Sequence, residues 1–236
     1  MIECATFAVC ENLKSVEFPE GLESIGLQAF RGCGVESITA PKSLKTIYNG
    51  AFLKCQNLRQ VVLNDSMKTL GINRNAGELG NYGGVFQDCK NLKQIELPSE
   101  LESIGVLCFC DSGLESFVAP RALRTIHQGA FYECEHLKEV QLNEDLEILG
   151  TDEHMADGGM WCGIFEDSGL GRIRLPSTLK RIEYKAFKNC KNLKNVQLPE
   201  KLEYVGNSCF YGSGLESIAF PPSIRVIGPY AFCECR

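Results

Sequence analysis

Few residues in this chain are of the kinds that do covalent chemistry. Among 236 residues there are three histidines, one tryptophan and four methionines. His127, His136 and His154 stand in different contexts. No Gly-x-Ser-x-Gly, P-loop, His-Glu-x-x-His or paired-carboxylate motif accompanies them. The reading is a protein that is not an enzyme, with no cofactor and no metal. A basic excess is missing too: the formal net charge is −6, which argues against a nucleic-acid partner. No apolar run approaches the roughly 20 residues of a membrane helix, so no membrane insertion is expected. No Pro/Ser-rich linker divides the chain. The opening "MIECATFAVCENLKS" has neither the basic nor the apolar region of a signal peptide.

What is plentiful is cysteine and a recurring phenylalanine. Phe7, Phe30, Phe52, Phe86, Phe109, Phe131, Phe165, Phe187, Phe210 and Phe232 follow one another at intervals of 22, 23 or 34 residues. Phe7 to Phe86 and Phe86 to Phe165 are both 79 residues, as if three-unit blocks had been duplicated. Each unit reads Phe-x-x-Cys-x-x-Leu-x-x-Ile-x-Leu-Pro-x-x-Leu-x-x-Ile-Gly-x-x-Ala-Phe. Units with Ser-Gly-Leu in place of Cys-x-x-Leu are one residue shorter. One unit cannot bury its apolar positions alone, whereas stacked units can. The alternation in "LKSVEF", "LKQIEL" and "LKNVQL" predicts nine stacked parallel strands. They centre on Val16, Ile38, Val61, Ile95, Phe117, Val140, Ile173, Val196 and Ile218. Pairs such as Leu22/Ile25 and Leu101/Ile104 predict a short second extended segment, closed by a glycine. Residues 1–236 thus read as one solenoid of about nine to ten units, with insertions at about 72–85 and 151–164.

Leu-x-x-Ile-x-Leu is the leucine-rich repeat signature. With "LP", "IG", "AF" and Cys three residues after Phe, the chain resembles the BspA-type (Treponema-type) leucine-rich repeat over nearly its whole length. The resemblance implies an α/β-type repeat that is mostly β: a right-handed curved solenoid with parallel strands on the concave face. It also implies a cell-surface or secreted protein of host-associated bacteria or protists, with adhesion or host-protein binding as its role. The missing signal peptide leaves a cytoplasmic site as the alternative.

The thirteen cysteines mostly follow the repeat. Cys10, Cys33, Cys55, Cys89, Cys134, Cys190 and Cys235 stand three residues after Phe, where other units have Ser112, Ser168 and Ser213. A slot that takes Cys or Ser is small and buried, so reduced thiols acting as small hydrophobes are expected. Disulfides between adjacent turns remain the alternative. "CFC" and "CEC" have spacings poor for zinc. Charged columns such as Lys14/Glu36, Lys93/Glu115 and Glu23/Lys45 alternate in sign between turns, as solvated ladders would.

The candidate binding residues lie where the repeat is broken. "GINRNAGELGNYGGVF" (71–86) carries Tyr82. "GTDEHMADGGMWCGIF" (150–165) carries His154, Met160 and Trp161. Aromatic residues and Met are favoured in interface cores, so Trp161 is the first choice of anchor and Tyr82 the second; the alternative is that they cover the base of their own loops. "TDEH" with Asp157 matches no EF-hand or zinc spacing. Arg172 and Arg174 make one cationic spot among small or polar concave positions. The expected partner is a protein or surface glycan of host origin. Other readings are a structural or self-associating segment, meeting copies end to end through uncapped ends, and an accessory module of an enzyme.

Overall fold

The computed structural model describes residues 1–71, 83–146, 148–150 and 162–236. Tyr82, His154, Met160 and Trp161 therefore lie outside the described residues. Those described contain no helix. Fourteen short strands, paired in parallel throughout, make five small sheets that line up as two broken ladders. β1 (Ser24–Ile25), β3 (Thr46–Ile47), β5 (Thr69–Leu70), β6 (Ser103–Ile104) and β8 (Thr125–Ile126) belong to the ladder of second segments. It continues with β10 (Ile148–Leu149), β12 (Arg181–Ile182), β13 (Tyr204–Val205) and β14 (Val226–Ile227). The first-segment ladder comprises β2 (Ser37–Thr39), β4 (Gln60–Val62), β7 (Ser116–Val118), β9 (Glu139–Gln141) and β11 (Arg172–Arg174).

The nine expected first-segment strands are thus five. Ile95 neighbours an isolated bridge between Val62 and Glu96, and no strand forms at Val16, Val196 or Ile218. The apolar column nevertheless continues: Val196 is buried, and Val16, Ile95 and Ile218 pack half-buried against the core. Burial needs only the side-chain period, whereas a ladder needs the backbones to stay in register. Around these units one bond at the start of the segment holds the turns together: Glu36 N–H to Lys14 O at 3.0 Å, Glu115 N–H to Lys93 O at 3.0 Å and Glu216 N–H to Lys194 O at 3.1 Å. The second segment, which looked subsidiary in the sequence, supplies nine of the fourteen strands.

A third set of backbone bonds joins all ten phenylalanine turns. Each Phe N–H donates to the carbonyl just before the next Phe, from Phe7 to Ala29 through to Phe210 to Ala231, at 2.7–3.0 Å. Phe52 to Val85 and Phe131 to Ile164 belong to this series, so neither insertion interrupts it. The rings stack with centroids 5.0–5.8 Å apart and planes within 17°. Every turn also places the second residue after Phe in the left-handed region: Val9, Gly32, Lys54, Asp88, Asp111, Glu133, Asp167, Asn189, Gly212 and Glu234 have φ between 52° and 65°. Most of these are not glycine, so the stack holds side chains in a conformation that costs isolated residues about 1–2 kcal/mol.

The cysteine column does more than fill space. Cys33, Cys55, Cys89, Cys134 and Cys190 each donate S–H to the Phe carbonyl of the preceding unit at 3.0–3.1 Å. Serine keeps a hydroxyl in the same slot: Ser112 and Ser168 meet the Cys134 and Cys190 sulfurs at 3.6 and 3.5 Å. All thirteen thiols are free. Burial fails at the two ends of the column, where Cys10 is exposed and Cys235 half-buried, because an end unit has a neighbour on one side only. Within the stack, burial pushes the thiols of Cys55 and Cys190 up to about 12 and that of Cys134 to about 11. Native alkylation at neutral pH should therefore label Cys4, Cys10 and Cys233 and spare Cys55, Cys89, Cys134 and Cys190. All should react once the chain is unfolded without reductant. Fast native labelling of Cys89, read by mass spectrometry, would contradict its burial, and resistance after unfolding would reveal disulfides.

Candidate functional site

The charged columns form ladders on the surface. Lys45–Glu23 (2.9 Å), Lys68–Glu102 (2.6 Å), Lys93–Glu115 (3.4 Å) and Lys194–Glu216 (3.7 Å) pair between neighbouring turns. They are well exposed, and each contributes only about 0–1 kcal/mol. Asn64 and Asn143 replace the repeat proline and tie turns together. Asn64 Nδ2 donates to Pro41 O and Leu44 O at 2.8 Å, and Asn143 Nδ2 to Pro120 O and Leu123 O at 2.6 and 2.8 Å. Repeat positions are thus accounted for by packing, register and solvation.

Arg172 and Arg174 both project exposed from β11, paired in register with Glu139 and Gln141 of β9. Arg174 also reaches Glu144 at 3.8 Å, with both side chains more than half exposed. The two arginines sit on the first-segment ladder, while both insertions leave from the second, after Leu70 and Leu149.

Both insertions return to the stack through one device. Gly84 and Gly163 would place a Cβ 1.7 and 1.8 Å from the carbonyl oxygens of Leu107 and Lys185, so no larger residue fits. The side chain after Phe then receives a backbone donor: Gly84 N–H bonds Gln87 Oε1 at 3.0 Å, and Gly163 N–H bonds Glu166 Oε2 at 2.8 Å. In the second copy the acceptor is a buried carboxylate. Glu166 is 4% exposed, with Lys188 Nζ at 2.8 Å and Lys185 Nζ at 3.8 Å. The carboxylate beside Lys188 holds that ammonium above its usual range. Glu183, also buried, meets Arg181 Nε at 2.6 Å, and the Arg181 guanidinium lies 4.0 Å above the Tyr204 ring.

Glu166 and Glu183 were not found by sequence reasoning. The available signal was their column: Glu183 and His127 stand where most units have the repeat glycine, and Glu166 aligns with Gln87 across the two insertions. These groups form a scaffold of charge at the base of the second insertion. Among the described residues, no three His, Cys, Asp or Glu side chains are grouped so as to hold a metal ion.

The family model for the BspA type leucine rich repeat region matches residues 1–77, 78–153 and 162–236. A leucine-rich repeat protein of Bacteroides ovatus has a similar structure, with TM-score 0.56 and 26% identity, covering 99% of this chain and 67% of its own. The leucine-rich repeat protein of T. pallidum aligns over 81% of this chain and 70% of its own at 24% identity, with TM-score 0.54. One from Eubacterium ventriosum shares the fold at 20% identity and TM-score 0.51, over 90% of this chain and 67% of that one. No curated protein matches the sequence.

Proposed function

Because this chain belongs to the BspA-type leucine-rich repeat family, we propose that it is a non-catalytic module that binds a protein partner, with a cell-surface or secreted location. The observation that carries the reading is the division of labour in the sequence. Phe, Cys/Ser, Leu/Ile and the charged columns are used to hold turn on turn, so specificity falls to the places where the repeat is broken. Those places are the two insertions and the Arg172/Arg174 spot. A solenoid offers extended area, which suits a macromolecule better than a small ligand. The family resemblance supports a partner of host origin. Among the described residues no helix is long and apolar enough to cross a membrane.

Trp161 is the proposed anchor, with Tyr82, Met160 and His154 as further candidate contacts. A central aromatic commonly carries ~2 kcal/mol or more of binding. In a binding assay against purified host extracellular proteins, Trp161→Ala should weaken the complex at least tenfold while the melting temperature stays unchanged. A collapse of the melt would make Trp161 part of the loop's own core and refute its role as anchor. If neither quantity moves, Arg172→Glu with Arg174→Glu decides whether the first-segment face carries the partner. Failure of all these variants to weaken binding would overturn the assignment of specificity to the repeat breaks.

A further inference from the structure

The cysteine column is not uniform along the stack. Cys10, Cys33, Cys55 and Cys89 occupy four consecutive turns, whereas Ser112, Ser168 and Ser213 alternate with Cys134, Cys190 and Cys235. Those serines all stand in short units. The short unit "GCGVES" departs from "DSGLES" and "GSGLES" by carrying Cys33 in the serine slot, which gives that thiol a cysteine on either side. Where Ser and Cys occupy neighbouring turns, their side-chain tips lie 3.4–3.6 Å apart. Two cysteines in the same slots are within reach of a covalent bond.

The backbones of the first two units are tied at this point. Val9 N–H donates to Arg31 O at 2.6 Å, and Gly34 N–H to Cys10 O at 3.1 Å. Neighbouring chains bonded in this way lie about 4.8 Å apart, within the roughly 4.4–6.8 Å between Cα atoms that a disulfide accepts. Of the four thiols in the run, Cys10 alone is exposed. Cys55 and Cys89 are shut in the core and donate to Phe30 O and Phe52 O. Cys33 lies between the exposed thiol and the core. Burial, and the Cys10 thiol beside it, hold the Cys33 thiol above its usual range.

We propose that Cys10 and Cys33 are a disulfide-forming site, at which a low-molecular-weight disulfide of the glutathione disulfide class staples the unit of Phe7 to the unit of Phe30. The Cys10 thiolate attacks one sulfur of the reagent. The reagent's S–S bond breaks, a mixed disulfide forms and one thiol leaves. Cys33 then gives up its proton to solvent, and its sulfur attacks Cys10 Sγ. The mixed S–S bond breaks, the second thiol leaves and the Cys10–Cys33 bond is made. Two protein thiols are oxidised while one small disulfide is reduced to two thiols, so no other oxidant is needed. Cys33 surrenders its 3.0 Å bond to the Phe7 carbonyl. In return a covalent tie holds a unit that has a neighbour on one side only. Phe7 N–H to Ala29 O at 2.7 Å is among the bonds that now connect it, and bonds at the end of a stack open readily. Neither the insertions nor Arg172 and Arg174 take part, so the outcome is independent of the protein-binding proposal.

The test uses the reduced full chain carrying Cys4→Ser, so that Cys10 is the only cysteine of its tryptic peptide. The chain is incubated with glutathione disulfide, quenched in acid, unfolded, alkylated without reductant, digested and read by mass spectrometry. The expected product links Cys10 to Cys33 with the loss of two hydrogens, while Cys55, Cys89 and Cys134 are fully alkylated. Cys33→Ser, which installs the residue of the other short units, should stop the reaction at the glutathione adduct of Cys10. Amide exchange at Phe7 and Val9 should slow roughly tenfold or more in the linked chain. The proposal is overturned if Cys10 pairs with another cysteine or with a second copy, if the glutathione adduct persists with Cys33 present, or if nothing reacts. A link that leaves exchange at Phe7 and Val9 unchanged overturns its role as a staple.

Discussion

Phe131→Ala is expected to lower the unfolding free energy by about 3–5 kcal/mol, the range for emptying a large aromatic site in a packed core. Phe131 is fully buried in the middle of the stack. Its ring lies 5.5 Å from Phe109, 5.3 Å from Phe165 and 4.7 Å from Phe117. Truncation removes all three contacts, and stacked aromatic pairs contribute about 0.5–1.5 kcal/mol each beyond their area. Relaxation is hindered because the backbone on either side is fixed by Phe131 N–H to Ile164 O and Phe109 N–H to Ala130 O. Phe7→Ala provides the contrast. Phe7 is half-buried and stacks on Phe30 alone at 5.0 Å, so it should lose less than half as much. In a one-dimensional stack a central unit has two interfaces and a terminal unit one. Urea unfolding followed by circular dichroism measures both variants; equal losses would contradict a nearest-neighbour stack.

The phenylalanine register was legible because ten repetitions of one residue leave little freedom in how turns superpose. The same holds for the Cys/Ser column as a small buried slot and for part of the charge alternation: Glu23/Lys45 and Lys93/Glu115 pair as their signs suggest, whereas Lys14 and Glu36 meet through backbone only. Other features depend on distances that periodicity does not carry. The thiol bond to the preceding Phe carbonyl is one, since Cys and Ser look like mere small residues until the neighbouring turn is in place. The balance between the two ladders is another. "LKQIEL" has the longer alternating pattern, yet Ile95 is not in a strand, while the brief "SIG" segment at Ser103–Ile104 pairs on both sides. A two-residue strand gives almost no sequence signal. The glycine after it is what allows the neighbouring turn to approach.

Of the candidate site, Arg172 and Arg174 were legible as a cationic pair because the other residues in their two columns are small, polar or acidic. Glu166 and Glu183 were not. A glutamate in an insertion-flanking unit reads as a solvated charge, and its burial follows from Lys188, Lys185 and Arg181 arriving from the same and following turns. The short units have a similar history. Ser-Gly-Leu was visible as a one-residue deletion, but its consequence depends on what lies beneath the glycine.

That dependence makes Gly113→Ala the sharper of the backbone tests. Gly113 is buried, and its N–H donates to Cys89 O at 3.1 Å. A Cβ there would stand 2.0 Å from Lys90 O and 2.8 Å from Lys90 C. Both are backbone atoms of the neighbouring turn, so no side-chain rotation relieves the overlap. Lys90 N–H is itself tied to Asp88 O at 3.1 Å, and Phe86 and Phe109 are locked in the stack on the adjoining side. The turns must separate, breaking the Gly113–Cys89 bond and opening the aromatic contact. The expected loss is about 4 kcal/mol or more, at the extreme of single substitutions. For a chain of this size that is a fall in melting temperature of roughly 10 °C or more. Gly21→Ala is the control, since nothing lies within 4 Å of its Cβ position; it should stay within about 0.5 kcal/mol of the parent. If Gly113→Ala melts with the parent, the turns have slack that the close carbonyl approach denies, and the close fit of a short unit on a long one loses its physical basis. If it falls as expected while Gly21→Ala does not, the glycine of every Ser-Gly-Leu unit is a contact point between turns. The missing residue is then the means by which a long unit and a short one fit together.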